Sequence, residues 1–288
     1  LSRSTWDNYD RALISRGGGV WPRGIKSIPI SAEVREALGI DASVDHLAPA
    51  KLIQAILKAP VDLFWNGGIG TYVRSSGETN LDAGDKANDN IRITARQLRV
   101  KAIGEGANLG ITQLARIEYA LNGGAIDTDA IHNSAGVNSS DLEVNIKIAL
   151  GTLVRGGEMN LKERNEFLAE MTDEVAELCL RNNYLQTLTL SLTRREGMDG
   201  FADLAGLMVS LEAAGKLDRA VEYLPDDSEL AERASAEIAL TRPEISILLA
   251  YAKNTLYAQL LKSAVPDDPY LGKETVQNLL GFRFHNAI

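Results

Sequence analysis

Arg99-Val100-Lys101-Ala102-Ile103, running into Gly104-Glu105-Gly106-Ala107-Asn108-Leu109-Gly110 and then Ile111 to Leu121, is the stretch on which the fold turns. A short apolar run stopped by glycines reads as a buried strand. The segment after it is helical in spacing, with Ile111, Leu114, Ile117 and Leu121 on one side, and Asn122-Gly123-Gly124 supplies a glycine stop. Ala125 to Ile131 is a further strand candidate. Strand, helix, strand in this order predicts a parallel α/β sheet.

Upstream the same grammar repeats. Leu47 to Lys58 reads as a helix with Leu52, Ile53, Ile56 and Leu57 on one side, halted by Pro60. Val61 to Trp65 is a second buried strand, ended by Asn66-Gly67-Gly68. Residues 75 to 90 are polar, a surface loop or short helix. Downstream of about residue 150 the pattern becomes helical throughout. Leu161 to Asn182 carries Phe167, Leu168, Met171, Val175 and Leu178 on one face. Helical stretches follow at residues 201–214, 217–224 and 228–238. Thr241-Arg242-Pro243-Glu244 is a helix start, with a capping threonine, a glutamate at the capping-box position and a proline in the first turn. That helix should reach about Ser263, and its stripe of Ile245, Leu248, Leu249 and Ala252 should pack between helices. The expected fold class is α/β: a partial Rossmann-like parallel sheet followed by an all-α C-terminal region.

Composition bounds the function. Hydrophobic residues at 45% and charged residues at 24% suit a soluble globular protein, and no apolar stretch is of membrane-spanning length. The chain opens on Leu1 in a polar segment without a signal-peptide pattern, which reads as a piece of a longer chain. The net charge of −9 argues against a nucleic-acid backbone as the main partner, since phosphate binding needs clustered Lys and Arg. The sole cysteine, Cys179, excludes an internal disulfide, reads as a buried apolar residue and fits the reducing cytoplasm.

Ligands of open parallel sheets bind beyond the C-terminal strand ends. Three loops leave such ends here: Asn66 to Gly70, Gly104 to Gly110 and Asn133 to Gly136. Each pairs glycine, which lets a ligand approach the backbone, with asparagine, which offers one acceptor and two donors. Taken singly, each is a tight turn before it is a site; together they read as a binding crevice. Gly104-x-Gly106-x-x-x-Gly110 is one residue too long for the usual dinucleotide fingerprint and lacks its ribose-binding acid, so the first phosphate-binding turn is expected outside this sequence.

Three longer runs decide more. Val61-Asp62-Leu63-Phe64-Trp65-Asn66-Gly67-Gly68-Ile69-Gly70-Thr71-Tyr72 resembles the large NAD-specific glutamate dehydrogenases of bacteria. So do Gly104 to Thr112 and Asp127-Thr128-Asp129-Ala130-Ile131-His132-Asn133-Ser134-Ala135-Gly136-Val137, continuing through Ser140-Asp141 to Glu143-Val144-Asn145-Ile146-Lys147. Asn183 to Thr187 and Leu240 to Glu244 are similar to the same family, so the resemblance spans nearly the whole chain. It implies residues 1–150 as the C-terminal part of a dinucleotide-binding domain and 151–288 as a helical C-terminal domain. It implies NAD as cofactor, L-glutamate and 2-oxoglutarate as substrate and product, and a homo-oligomer at full length. Smaller glutamate dehydrogenases share two of the loops in outline. By that resemblance Asn108 contacts the nicotinamide ribose and Asn133 meets the nicotinamide end, with Asn66, Gly67, Gly68, Gly106 and Ala107 bordering the cofactor. Ser140 hydrogen-bonds the distal carboxylate of glutamate, a role that a hydroxyl near a helix N-terminus suits.

Ser134 and Ala135 stand where the smaller enzymes usually have alanine and glycine, and His132 where the large family is expected to have an acidic residue, which touches details of cofactor contact. The family's substrate-binding lysines and acid/base aspartate belong to an N-terminal substrate domain, and nothing in residues 1–60 matches them, so no catalytic acid or base is assigned here. Other features have plainer readings. His46, His132 and His285 lack metal-ligand spacing and read as structural or surface residues. Asp82, Asp85 and Asp89 lack a calcium-loop pattern and read as a solvated face, with Lys86 and Arg92 as candidate partners. Gly17-Gly18-Gly19 reads as a turn, and Trp6, Trp21 and Trp65 are too scattered to form a stacking platform. Two other functional readings compete with the enzyme: a non-catalytic regulatory or assembly module, and a nucleotide-binding sensor that takes cofactor without substrate.

Overall fold

The computed structural model describes residues 8, 10–22 and 24–270. Trp6 and His285 lie outside the described residues. The chain folds as two compact units. The first takes the chain to Gly104 together with Leu109–Ile126; the second takes Glu105–Asn108 and the chain from Asp127 onward.

The first unit begins with a small antiparallel pair, β1 (Ile28–Pro29) and β2 (His46–Leu47), in which Ile28 faces Leu47. Between them runs α1 (Ala32–Leu38). Ser31 caps it, accepting from the Val34 N–H at 3.1 Å, and Gly39 ends it in the left-handed region at φ 60°. Next comes α2 (Pro49–Leu57), with proline in its first turn where no N–H is needed. Then follow β3 (Leu63–Asn66), β4 (Val73–Arg74), β5 (Ile93–Thr94), β6 (Ala102–Glu105) and α3 (Gln113–Leu121). β4 and β5 are parallel, and Val73 and Ala102 make further parallel bridges to Ile111 and Ala125. β3 and β6 are neighbours, joined at their start by Lys101 N–H to Val61 O (3.2 Å) and Ala102 N–H to Asp62 O (3.0 Å). Val73, Ile93, Ile103, Ile111, Ala115 and Ile126 form the apolar core of this unit. The predicted parallel α/β arrangement is therefore present, in short strands.

One predicted strand is not. Ala125 pairs with β6 through Ile103 N–H to Ala125 O and Ala125 N–H to Lys101 O, but the ladder stops there. From Asp129 the chain turns into α4 (Asp129–His132), whose Ile131 and His132 N–H groups donate to Thr128 O. Asp127 is drawn instead into side-chain contacts described below, so Ala125 to Ile131 is a bridge and a helical turn.

The second unit is helical. After α4 comes a π-turn at Ser134–Asn138, then α5 (Ser139–Gly156), which passes through residue 150 and ends at Gly157 with φ 77°. The helix predicted over 161–182 is two helices, α6 (Leu161–Glu170) and α7 (Thr172–Glu196). The break falls at Met171, whose side chain is buried with Ile146 and Leu150. Thr172 donates its hydroxyl back to Ala169 O at 2.8 Å and opens the new helix with Asp173 and Glu174 in its first turn. α8 (Phe201–Ala213), α9 (Asp227–Ser235) and α10 (Arg242–Leu260) complete the described part. Residues 217–224, predicted helical, are turns. Asp218 spends its carboxylate on the N–H groups of Ala220 and Val221, Arg219 bridges Glu212 and Asp227, and Tyr223 sits at φ 56°. Leu217 and Leu224 nevertheless anchor both ends of the turn in the core of Leu190, Met208, Leu211, Leu240, Ile245 and Leu248. Each such buried leucine contributes roughly 1.5–3 kcal/mol by leaving water.

Candidate functional site

The site residues expected from the sequence fall at strand ends and turns in both units. In the first unit, β3 delivers Asn66 to its C-terminal end. Asn66 is buried, and its Nδ2 has no hydrogen-bond partner among the described residues. Gly67 and Gly68 follow it, exposed at the surface. Gly110 lies directly on the Asn66 amide: a Cβ there would stand 1.7 Å from Nδ2, so no side chain fits. Gly104 is similarly covered by the Trp65 ring, 2.4 Å from where its Cβ would be.

The second unit holds the remaining group. Gly106, Ala107 and Asn108 form the turn that leaves β6. Asn108 is exposed, and its Oδ1 accepts from Asn133 Nδ2 at 2.5 Å. Asn133 is buried and works at both ends of its amide, since its Oδ1 accepts from the Gly136 N–H at 2.9 Å. It thereby caps the helical run that starts in the π-turn, as asparagine commonly does at such a start. Asn108 Nδ2 is left without a partner among the described residues. Ser140 is exposed on α5 and donates its hydroxyl to Gly136 O at 3.0 Å. Asn138 before α5 already has helical dihedrals (φ −65°, ψ −44°), so Ser140 stands beyond the first turn of the run that begins at Ser134.

Around this turn lies a charged network that no motif foreshadowed. Asp127, just after the bridge residue Ala125, is buried, and both its oxygens accept from Arg242: Nε to Oδ1 at 2.5 Å and Nη2 to Oδ2 at 3.1 Å. This is the two-pronged pairing that makes arginine a carboxylate ligand. Arg242, the first residue of α10, also donates to Ser191 Oγ on α7 at 2.9 Å. His132 Nε2 lies 3.0 Å from Asp127 Oδ2, and the Glu105 N–H donates to His132 Nδ1 at 3.3 Å. Burial works against the Asp127 anion, but the hydrogen bonds from His132 and Arg242 and the Arg242 charge outweigh it. The carboxyl is held below the usual carboxylate range. Asp127 and Arg242 are 115 residues apart, which is why no spacing revealed them. His132 and Asp127 are five apart, across a single helical turn, close enough for sequence reading to have paired them.

The acidic residues of the 75–90 segment do local work. Asp85 accepts from Thr71 N–H and Asn88, Asp82 from Thr79, and Asp89 pairs with buried Arg92 at 2.6 Å. Lys86 is not in that set. Cys179 lies in α7, and burial pushes its thiol up.

Comparison with known proteins finds close relatives over nearly the whole chain. The family model for the bacterial NAD-glutamate dehydrogenase catalytic domain matches residues 1–193, and that for the glutamate dehydrogenase C-terminal region matches residues 237–279. The NAD-specific glutamate dehydrogenase of Pseudomonas aeruginosa is 56% identical over 274 residues, 95% of this chain. Those of Halomonas elongata and Mycobacterium tuberculosis are 49% and 48% identical over 93% of it. The chain spans 17% of the length of each of these relatives. With the catalytic-domain model covering most of its length, the glycine and asparagine turns at Asn66, Asn108 and Asn133 included, this chain belongs to the bacterial NAD-glutamate dehydrogenase family.

Proposed function

We propose that these residues form part of an NAD-dependent glutamate dehydrogenase, which passes a hydride from L-glutamate to NAD and releases 2-oxoglutarate and ammonia after hydrolysis of the imine. The observation that carries this is the Asn108–Asn133 pair. A buried asparagine holds a second, exposed one by its carbonyl, leaving the Asn108 amide donor without a partner among the described residues. Such a donor suits the ribose hydroxyls at the nicotinamide end of NAD. Asn66, its Nδ2 covered by Gly110, takes part through the loop that it opens and not through its amide. Gly67, Gly68, Gly106 and Ala107 border the cofactor with little side-chain bulk. Asn133 acts on it through Asn108, since both ends of its amide are engaged. NAD, when bound, supplies the hydride acceptor; the residues here bind and orient it.

Ser140 is the substrate contact in this reading, its hydroxyl able to rotate from Gly136 O toward the distal carboxylate of glutamate. Residues 1–150 contribute to a Rossmann-like dinucleotide fold, and 151–288 form the helical C-terminal domain. Among the described residues no helix is long and apolar enough to cross a membrane, which together with the single cysteine supports a cytoplasmic enzyme. Exposed apolar side chains on α7, including Leu180, Tyr184 and Leu192, support burial against further protein at full length, within a homo-oligomer.

The test is steady-state kinetics of a full-length family enzyme carrying these residues. Asn108→Ala is expected to raise KM for NAD about tenfold, the loss of one hydrogen bond worth ~1.4 kcal/mol, with KM for glutamate little changed. Ser140→Ala is expected to do the reverse. If Asn108→Ala left KM for NAD at the wild-type value, the cofactor assignment would be wrong.

A further inference from the structure

We propose that His132 is the positioning residue of the Gly106–Asn108 turn, and that Arg242 reaches that turn through Asp127. The inference rests on the cofactor role given above to Asn108 and extends it to residues that touch neither cofactor nor substrate.

The side chains at the head of the turn offer little to hold it. Gly106 has no side chain, Ala107 only a methyl, and the next residue, Leu109, sits in the left-handed region at φ 58°. Two consecutive residues from the end of α4 hold it instead. His132 Nδ1 takes the Glu105 N–H at its start, and Asn133 Nδ2 takes Asn108 Oδ1 at its end. A backbone N–H can only donate, so Nδ1 is the bare nitrogen and the ring proton is on Nε2. That proton points at Asp127 Oδ2, 3.0 Å away. The carboxylate is itself fixed by the two prongs of Arg242 and cannot swing away from the ring. The tautomer of His132, and with it the acceptor facing Glu105, is thus set by a residue at the head of α10. The fork geometry matters as much as the charge, because a lysine would contact one oxygen at a time.

The two ring nitrogens can be replaced separately. Asn places an acceptor near the Nδ1 position, whereas Gln places a donor near the Nε2 position. In the full-length enzyme, His132→Gln is expected to raise KM for NAD about tenfold while KM for glutamate stays unchanged and kcat changes far less. His132→Asn is expected to stay within about twofold of wild type in KM for NAD, since it keeps the acceptor for the Glu105 N–H. Arg242→Lys, which keeps the charge but loses the fork, is expected to raise KM for NAD in the same selective way. It serves as the test if His132→Gln does not fold. Asn108→Ala run alongside separates the two claims. A rise for Asn108→Ala with none for His132→Gln or Arg242→Lys overturns the positioning role and leaves the cofactor reading intact. No rise for Asn108→Ala overturns the cofactor reading. Equal rises for His132→Asn and His132→Gln would mean the Nδ1 contact is not the carrier, which also overturns the proposal.

Discussion

Asn133 shows how one side chain serves structure and site together. Its oxygen caps a helical run and its nitrogen fixes Asn108, so neither end is spare. An asparagine three residues before a glycine was legible in the sequence as a turn. That its two ends serve two different partners was not, because Asn108 lies 25 residues away. Asp127 is the more demanding residue. Its folded pKa is depressed, so its stabilising contribution is present above the unfolded value of about 3.9 and is lost as pH falls through the lower folded value. Asp127→Asn should therefore cost stability at neutral pH, about 2 kcal/mol. That is less than the ~3–5 of a fully buried broken pair, because Arg242 keeps some contact with water. The gap between variant and wild type should narrow as pH drops below about 4. Urea unfolding midpoints measured from pH 7 to pH 3 check this; a constant gap across the range would show that Asp127 titrates as it does in the unfolded chain.

Helix ends were read well from the sequence where the cap is local. Thr241 and Glu244 form the expected box at the head of α10: Glu244 Oε2 takes both the Thr241 N–H and its hydroxyl at 2.6 Å. What the local pattern did not show is that Glu244 is fully buried and also pairs with Arg233 of α9 at 2.9 Å. The two residues should then differ sharply in a stability assay. Thr241→Ala is expected to cost about 1 kcal/mol, as for an ordinary cap. Glu244→Ala is expected to cost more, about 3 kcal/mol, because it removes the buried one of the two carboxylates, Glu229 and Glu244, that hold the nearly buried Arg233 guanidinium. Similar losses in denaturant titrations would mean that Glu229 alone satisfies Arg233. The elements misread from sequence failed for a shared reason. Residues 161–182 and 217–224 keep helical apolar spacing, but Met171 turns into a core and Asp218, Arg219 and Tyr223 commit their polar groups and backbone to turns. Periodicity reports which residues are buried and not whether the backbone between them stays helical.

For the whole chain, the span is 17% of the length of its relatives, and the proposed reaction needs an acid and a base that are not assigned to these residues. Purified residues 1–288 are therefore expected to show no glutamate-dependent NADH formation, as followed by absorbance with circular dichroism confirming the fold. Turnover by this chain would place an acid and a base among residues to which none is assigned here. Calorimetric titration of the same sample with NAD asks a separate question, whether the asparagine turns bind cofactor without the rest. The family, the strand–glycine–asparagine turns, the parallel α/β class and the helical second half were all determined by the sequence alone. Those features are written in contiguous residues, where local spacing, caps and long ordered motifs carry the information. The end of the sheet at Ala125, the break at Met171, the unpaired amide of Asn66 and the Ser191–Arg242–Asp127–His132 network were decided only by tertiary structure. Each depends on which side chain meets which across tens of residues, where burial makes an unpaired charge or amide costly and so selects partners that no local pattern encodes.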